Sequence, residues 1–391
     1  DYYASRGLGD VYKRQVGIYA ILLVGVGLWV SRTKKGHTKT AEDYFLASKA
    51  LPWWAIGSSL IAANISAEQF IGMSGSGFAG GLAIASYEFM AALTLIIVGK
   101  FFLPIFIKQG IYTIPEFVEK RFSTNLKTIL AVFWIALFVF VNLTSVLFLG
   151  GKAIDTIVGV GDGSMIVPAI IALAIFAAAY SLYGGLSAVA WTDVIQVALL
   201  VIGGIITTLI ALHYVTPDGG ILNGISHIAD AASDKFDMVL SRDNKEFNNL
   251  PGIYVLIGGL WVANLYYWGF NQYIIQRTLA AKSLTEAQRG IAFAAFLKML
   301  IPFIVVIPGI VAWVMYSEDL YGARSAFEIA GSTALNNDNA YPWLISTFIP
   351  VGVKGLVLAA LAAAIVSSLA SMLNSTSTIF TMDIYLSLIH I

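Results

Sequence analysis

The sequence predicts an all-α protein that crosses a membrane several times. Of its 391 residues, 58% are hydrophobic and 12% are charged, and the mean hydropathy is +0.80. Ordinary soluble domains carry about 25% charged residues. Nine apolar segments also reach or approach the length of about 20 residues that a membrane-spanning helix needs. Composition and segment length therefore both indicate a polytopic membrane protein.

The nine segments follow one another along the whole chain. Trp and Tyr gather at several of their ends, as amphipathic rings do at the headgroup level of a bilayer. The first segment is short and is expected to borrow flanking residues. We predict transmembrane helices at 16–30, 53–79, 82–107, 126–149, 165–183, 188–213, 252–276, 291–316 and 353–384.

The charged residues indicate an orientation rather than a partner of opposite charge. The 23 basic and 23 acidic residues cancel, so no global field favours nucleic acid. Cysteine is absent, which excludes disulfides and cysteine metal sites, and the four histidines fall in loops or at ends. The loops 31–52, 108–127, 184–187 and 277–290 hold twelve Lys and Arg residues against five in the opposite loops, so we expect them to be cytoplasmic.

The stretch 62–70 interrupts the second apolar segment. It places Asn64, Ser66, Glu68 and Gln69 inside a run that is otherwise apolar enough to cross a bilayer. Polar groups in hydrocarbon must find partners, and four such side chains cannot share one narrow helical face. We therefore predict a local break in the helix, whose freed carbonyls face a sheltered cavity.

A second break is predicted at 262–272, where amides, aromatic rings and a glycine again concentrate within one span. Two interrupted helices in comparable places are typical of a transport site at the membrane midplane between inverted repeats.

A membrane enzyme is disfavoured, because His, Cys or paired carboxylates do not form a catalytic constellation at an interface. The stretch 75–80 matches GxGxxG, but no strand precedes it, so a nucleotide site is not expected.

One transmembrane domain, 16–385, is expected to hold both repeats, and neither end of the chain follows the pattern of the rest. The leader shows no signal-peptide or spanning pattern, so we expect it to be non-native or disordered. The predicted parts are a leader at 1–15, an extra first helix and cytoplasmic loop at 16–52, a first repeat at 53–213, an extracytoplasmic loop at 214–251, a partial second repeat at 252–385 and an abrupt tail at 386–391.

A cation site is predicted around Ser367 and Ser368. Their hydroxyls can supply oxygen ligands while carbonyls freed at the first break supply the others. Oxygen coordination without a nearby carboxylate fits Na⁺ rather than a transition metal. The alternative is that the two serines only ease contact between helices.

A set of polar side chains within the spans is predicted to bind a solute. It offers carboxylate, amide and ammonium groups, which together suit the hydroxyls of a neutral polyol. Tyr267 and Tyr87 could close over such a ligand, although aromatic packing is commoner, and each polar residue alone could serve helix packing. The predicted ligand-binding residues are Asn64, Glu68, Gln69, Glu88, Asn264 and Lys298.

Four stretches of the chain resemble the sodium/solute symporter family, specifically its bacterial sodium/galactose (sodium/glucose-type) cotransporters. They are YSLYGGLSA at 180–188, ANISAEQFIG at 63–72, WVANLYYWGFNQ at 261–272 and IVSSLAS at 365–371. The resemblance covers essentially 16–385. It implies the leucine-transporter-type fold of five-plus-five inverted repeats after one extra helix, with nine transmembrane helices present and the second repeat incomplete.

The resemblance also implies roles for individual residues. The sugar contacts would be the six polar residues named above, with Tyr267 stacking as the inner gate and Met73 and Tyr87 forming part of the outer lid. Ala91 departs from the family pattern, because related galactose carriers have a serine there. The implied sodium site comprises the carbonyls of Ala62 and Ile65, further oxygens from Ala364, Ser367 and Ser368, and Asp193 on the inner path of the ion.

The function expected from residues and resemblance together is Na⁺-coupled import of a neutral monosaccharide, galactose or glucose, by alternating access. We expect no enzymatic activity, no cofactor other than Na⁺ as coupling ion, and a multi-pass protein of the bacterial inner membrane whose partners are Na⁺, the sugar and lipid. The alternatives are a family sibling for another small solute, such as inositol or proline, and the sensory membrane half of a histidine kinase.

Overall fold

The structure is a computed structural model and describes residues 2–32, 38–66, 68–157, 162–250, 252–329 and 331–389. Within these ranges the regular structure is helical. Strand-like pairing there is limited to two isolated bridges, Leu51 with Ala281 and Glu328 with Leu335. The predicted all-α class is therefore what the described residues adopt.

The helices of the first half extend to residue 214. They are α1 (Tyr2–Val30), α2 (Ala41–Phe45), α3 (Trp53–Asn64), α4 (Ser74–Gly80), α5 (Ser86–Ile97), α6 (Leu103–Gln109), α7 (Ile114–Arg121), α8 (Thr124–Leu137), α9 (Thr144–Ile157) and α10 (Ile166–Tyr214). Wider π-helical turns at Glu68–Met73, Val98–Phe102 and Phe138–Leu143 join α4, α6 and α9 to what precedes them.

The second half begins with the segment between the predicted repeats. Its helices are α11 (Ile221–Ala231), α12 (Leu260–Leu265), α13 (Gln272–Leu279), α14 (Leu284–Ile301), α15 (Ile307–Ser317), α16 (Ala323–Phe327), α17 (Ala340–Phe348), α18 (Val351–Ile379) and α19 (Leu386–Ile389). π-helical turns again occur, at Val255–Gly259, Tyr266–Phe270, Pro302–Val306 and Phe380–Tyr385.

By length and composition, five of the described helical stretches can cross a membrane. Three shorter apolar helices accompany them, Gly17–Val30, Ile166–Ala179 and Val255–Phe270. The count of nine spans thus stays a prediction. The five long stretches are Gln69–Gln109, Thr124–Asp155, Ser181–Tyr214, Leu284–Ser317 and Gly352–Tyr385.

Two glycines divide the longest helical stretches. Gly81 has a φ of 75° and opens a 3₁₀ turn, Gly81–Ala85, between α4 and α5. Gly185 has a φ of 58° inside the 49 residues of α10. Left-handed φ values cost L-residues energy but not glycine, so the chain can bend at both points. The two bends lie between the predicted segments 53–79 and 82–107 and between 165–183 and 188–213, while the division into separate spans stays a prediction.

The first helix starts earlier than expected. α1 begins at Tyr2 and so runs through the described part of the leader 1–15. An apolar helix can extend through its polar flank because helix propagation needs only local hydrogen bonds. That the leader is non-native or disordered stays a prediction.

α18 is the central helix of the described bundle. Of the most apolar 18 residues within Gly352–Tyr385, 83% are buried, against 17% within Thr124–Asp155. It packs along α10 and also contacts α3, which lies between α10 and α14. A separate apolar cluster around Phe78, Phe327 and Trp343 joins α15, α16 and α17 to α4. The first helix break therefore faces the centre of the bundle.

Candidate functional site

The first predicted break is present where α3 ends. Asn64 is its last residue, Ile65 is extended with φ −79° and ψ 102°, and helical structure resumes at Glu68. Asn64, Ile65 and Ser66 are all buried. Carbonyls at the end of a helix lack intrahelical partners, so this end offers oxygen atoms in a sheltered place.

The second break is also present. The π-helical turn Tyr266–Phe270 ends at Asn271, which is extended with φ −79° and ψ 123°, and α13 starts at Gln272. The side chain of Asn271 caps α13 by accepting a hydrogen bond from the Tyr273 amide at 3.2 Å. The polar residues that signalled both breaks thus sit at the ends of the interrupted helices.

Ser368 of α18 lies against the first break. Its hydroxyl oxygen is 3.0 Å from the Ala63 carbonyl, 3.1 Å from the Ala364 carbonyl and 3.5 Å from the Ile65 carbonyl. All of these residues are buried. Neutral oxygens converging in a dry site are suitable ligands for a hard, weakly held cation.

The predicted sodium ligands are only partly gathered at this point. Ile65, Ala364 and Ser368 meet there, and the carbonyl that approaches Ser368 at 3.0 Å is that of Ala63 rather than of its predicted neighbour Ala62. Ala62 is buried one residue earlier in α3. Its role as a ligand stays a prediction.

Ser367 and Asp193 belong to an adjoining polar cluster. Ser367 donates to Asp193 Oδ1 at 2.6 Å, and Ser59 donates to Asp193 Oδ2 at 2.5 Å. Arg277 lies 3.7 Å from the same carboxylate, measured from Nη2 to Oδ2. None of these four side chains is exposed. The Asp193 carboxylate is therefore neutralised and hydrogen-bonded within the protein.

Sequence reasoning missed Arg277. It was counted among the Lys and Arg residues of the loop 277–290, but it lies in α13 with a fully buried side chain, so one of the twelve charges used for orientation does not face water. The eleven that remain still exceed the five opposite. A signal was available, because Gln272 and Gln276 share a face of a short polar helix next to a break, and Arg277 follows them directly.

The predicted solute residues surround a cavity of about 290 Å³. The volume is of the order of small-molecule sites, which are typically about 300–1,000 Å³. Its wall joins the first break, α5, the second break and α14. The lining residues are Asn64, Gln69, Met73, Tyr87, Glu88, Ala91, Leu260, Ala263, Asn264, Tyr266, Tyr267, Trp268 and Lys298.

Five of the six predicted solute contacts line this cavity. The exception is Glu68, whose side chain lies outside the described part of the structure. The predicted gate residues Met73, Tyr87 and Tyr267 line it as well. Their binding and gating roles stay predictions, but the helix positions bring them to one place.

Glu88 and Lys298 form a buried ion pair in the cavity wall. Lys298 Nζ is 2.5 Å from Glu88 Oε2, and the ammonium also lies 5.2 Å from the centre of the Trp268 ring. The two side chains are 3% and 1% exposed. Because each charge neutralises the other, the cavity wall is polar and carries no net charge from this pair.

Tyr267 connects the two breaks. Its hydroxyl accepts from Asn64 Nδ2 at 2.9 Å and lies 2.7 Å from the Tyr273 hydroxyl. Asn264 donates instead to the Leu260 carbonyl of its own helix at 3.0 Å. The side-chain amide oxygen of Asn64, Oδ1, is buried without a hydrogen bond among the described residues, so it is available to a ligand donor.

Comparison with known proteins assigns this architecture. A model of the sodium:solute symporter family matches residues 44–390. The chain belongs to the sodium:solute symporter family. It is 66% identical over 384 residues to a sodium/glucose cotransporter of Vibrio parahaemolyticus, which covers 97% of this chain and 70% of that protein.

More distant family members match over almost the whole chain. A sodium/myo-inositol cotransporter 2 of Bos taurus is 34% identical over 94% of this chain, which spans 55% of that protein. A substrate-bound, outward-open structure of a Na⁺-coupled sialic acid symporter superposes with a TM-score of 0.82 and 27% identity, covering 96% of this chain and 75% of that one. The predicted leucine-transporter-type fold class and the multi-pass membrane location are thereby confirmed.

Proposed function

We propose that the chain performs Na⁺-coupled symport of a neutral monosaccharide of the galactose or glucose type. One observation carries the proposal. The oxygens around Ser368 meet the break at the end of α3, and Asn64, the last residue of α3, lines the cavity. An ion bound at Ser368 and a solute bound beside Asn64 would therefore contact one short segment of backbone. That segment can couple the two binding events.

The mechanism follows from where the ion ligands lie. Na⁺ bound between the Ile65 carbonyl of the break and the Ala364 carbonyl of α18 would hold the end of α3 against α18. This arrangement is the outward-open one, in which sugar enters the cavity beside Tyr267. Both ligands then reach the inside when the repeats rock, so each ligand favours the state that binds the other.

The buried Glu88–Lys298 pair favours a neutral solute. An anionic ligand would meet the Glu88 carboxylate, and a cationic ligand would meet the Lys298 ammonium, whereas hydroxyls can donate to the first and accept from the second. The names of two relatives, a sodium/glucose and a sodium/myo-inositol cotransporter, each specify a neutral polyol. myo-Inositol is therefore the second candidate substrate.

The remaining proposals follow from the same mechanism. The transport cycle needs no covalent step, so the protein would act without enzymatic chemistry and without a cofactor beyond the coupling ion. Its partners would be Na⁺, the sugar and the lipid bilayer. The likeness to a Vibrio protein supports the inner membrane of a bacterium as its location.

Uptake by the protein in reconstituted vesicles tests the proposal. Labelled galactose or glucose should accumulate with an inward Na⁺ gradient, and uptake should vanish when choline replaces Na⁺. Undiminished uptake in choline contradicts Na⁺ coupling. Competition then identifies the solute: unlabelled hexose should block uptake more strongly than myo-inositol, and the reverse order would favour the second candidate.

A further inference from the structure

Hydrogen bonds, the first turn of α13 and a buried ion pair together join the cavity to Ser367. The connection starts at the Asn64 amide, which donates to the Tyr267 hydroxyl at 2.9 Å, and continues to the Tyr273 hydroxyl at 2.7 Å. Tyr273 is the second residue of the buried helix α13, and its carbonyl accepts a hydrogen bond from Arg277 one turn later. The cavity wall is thus linked to the charged centre of α13.

Arg277 contacts three other helices, α3, α10 and α18. Its Nε donates to the Ser59 hydroxyl of α3 at 2.7 Å and to the Ser59 carbonyl at 3.1 Å. Its Nη2 donates to the Ser371 hydroxyl of α18 and pairs with Asp193 of α10. A guanidinium is a rigid planar fork, so a shift of α13 moves all of these partners together.

Asp193 controls where the Ser367 proton points. A serine hydroxyl has one proton and two lone pairs, and it can bind a cation only through the lone pairs. Because Ser367 gives its proton to Asp193 Oδ1, its lone pairs are directed elsewhere. The neighbouring Ser368, in contrast, still directs its proton at a backbone carbonyl.

We propose that Tyr273, Arg277 and Asp193 are positioning residues that relay occupancy of the sugar cavity to the sodium site. Sugar that displaces Tyr267 changes its bond to Tyr273, α13 shifts with Arg277, and Asp193 then holds or releases the Ser367 proton. This inference rests on the proposed function. It gives Asp193 a role in orienting a ligand of the ion, in place of direct coordination.

The measurement is a coupling factor, defined as the ratio of the sugar dissociation constant in choline to that in saturating Na⁺. Labelled galactose binding to the purified protein gives both constants. We expect Tyr273→Phe and Arg277→Lys to lower the factor about fivefold or more, the order of a typical coupling energy. Sugar affinity in choline should stay within about twofold, since neither residue lines the cavity.

Matched controls separate the relay from general damage. Arg289→Lys makes the same chemical change on a side chain that is 65% exposed, and Tyr316→Phe removes a hydroxyl from a ring packed on Phe78 and Phe327. Both should keep the coupling factor of the parent protein. If Arg277→Lys does not fold, Tyr273→Phe, which removes only one hydroxyl, carries the test.

If the contacts of the relay act in series, breaking two of them should cost no more coupling than breaking one. The double variant Tyr267→Phe with Tyr273→Phe should lose no more coupling than Tyr273→Phe alone, because one broken link already interrupts the relay. Losses that add in the double variant contradict it, as does an unchanged factor in Tyr273→Phe. If the parent protein binds sugar equally in Na⁺ and choline, the proposed function fails. If the parent protein shows coupling and the variants keep the same coupling factor, only the relay fails.

Discussion

The hydroxyl of Ser368 donates to the carbonyl of Ala63, 305 positions earlier in the chain, at 3.0 Å. This bond holds the middle of α18 against the end of α3, where helical hydrogen bonding stops. The hydroxyl also lies 3.1 Å from the carbonyl of Ala364. A cation at this point would take over the lone pairs of these oxygens, so the serine proton would have to turn away from the carbonyls.

Ser368→Ala removes one oxygen ligand and should raise the Na⁺ concentration for half-maximal uptake about tenfold or more, as expected for a lost polar contact to a charge. Sugar uptake at saturating Na⁺ should recover in part. A Na⁺ titration of uptake measures this. Thr376→Ala is the control, because Thr376 bonds only the Met372 carbonyl of its own helix at 2.7 Å among the described contacts. If both variants show the same Na⁺ dependence, Ser368 is not a ligand of the ion.

Lys298→Met leaves the Glu88 carboxylate buried without its partner. Loss of one member of such a pair costs about 3–5 kcal/mol, so the melting temperature and sugar binding should both fall steeply. The double variant Glu88→Gln with Lys298→Met should regain much of the melting temperature, since no uncompensated charge remains. Its sugar affinity should stay low. Thermal unfolding in detergent and equilibrium sugar binding give the two readouts.

The exposed pair of Lys49 and Glu42 provides the comparison for this prediction. Its atoms are 2.9 Å apart, but the side chains are 39% and 41% exposed. Lys49→Met should change stability by less than about 1 kcal/mol. A similar loss in Lys49→Met and Lys298→Met would mean that the cavity pair is hydrated and not part of a closed wall.

Much of this site could be predicted from sequence because polar residues in hydrocarbon must be satisfied. Asn64 and Gln69 in one apolar run and Asn264 in another predicted two breaks facing one cavity, and the structure has both. The serine pair is matched to the first break for a different reason, because its hydroxyls and the freed carbonyls can together ligate a cation. The individual sodium ligands and the gate roles come from the family resemblance.

Other features depended on how helices are rotated and shifted against each other. The Glu88–Lys298 pair joins residues 210 positions apart, and no local pattern assigns a partner to either charge. Arg277 looked like a loop cation because it lies near the end of an apolar run, yet α13 turns it into the bundle. The Ala63 carbonyl, which the sequence analysis does not single out, likewise lies 3.0 Å from the Ser368 hydroxyl.

Ala91→Ser should restore a hydroxyl that the family resemblance places in the cavity. Ala91 is 3% exposed and lines the cavity, so an added hydroxyl can bond a sugar hydroxyl. One such bond is worth about 0.5–1.5 kcal/mol, which predicts a two- to tenfold gain in sugar affinity. Ala92→Ser, one position later and outside the cavity lining, should give no gain. Lower affinity in Ala91→Ser would show that Ala91 instead packs against the bound sugar.

Gly309→Ala should destabilise the contact between α15 and α4, the helix that follows the first break. A Cβ at Gly309 would collide with the Ser74 carbonyl oxygen and lie 2.9 Å from the Phe78 amide nitrogen, both of them backbone atoms that cannot rotate aside. Overpacking of this kind costs about 1–3 kcal/mol, because helices in a membrane approach closely only through small residues.

The same change at Gly258 separates this effect from the general consequence of replacing glycine. A Cβ at Gly258 meets nothing within 4 Å, so Gly258→Ala should leave stability unchanged or raise it slightly through helix propensity. Melting temperatures of the two variants in the same detergent measure the difference. If Gly309→Ala melts no lower than Gly258→Ala, α15 and α4 are not held in close contact, and α4 is free to move without α15.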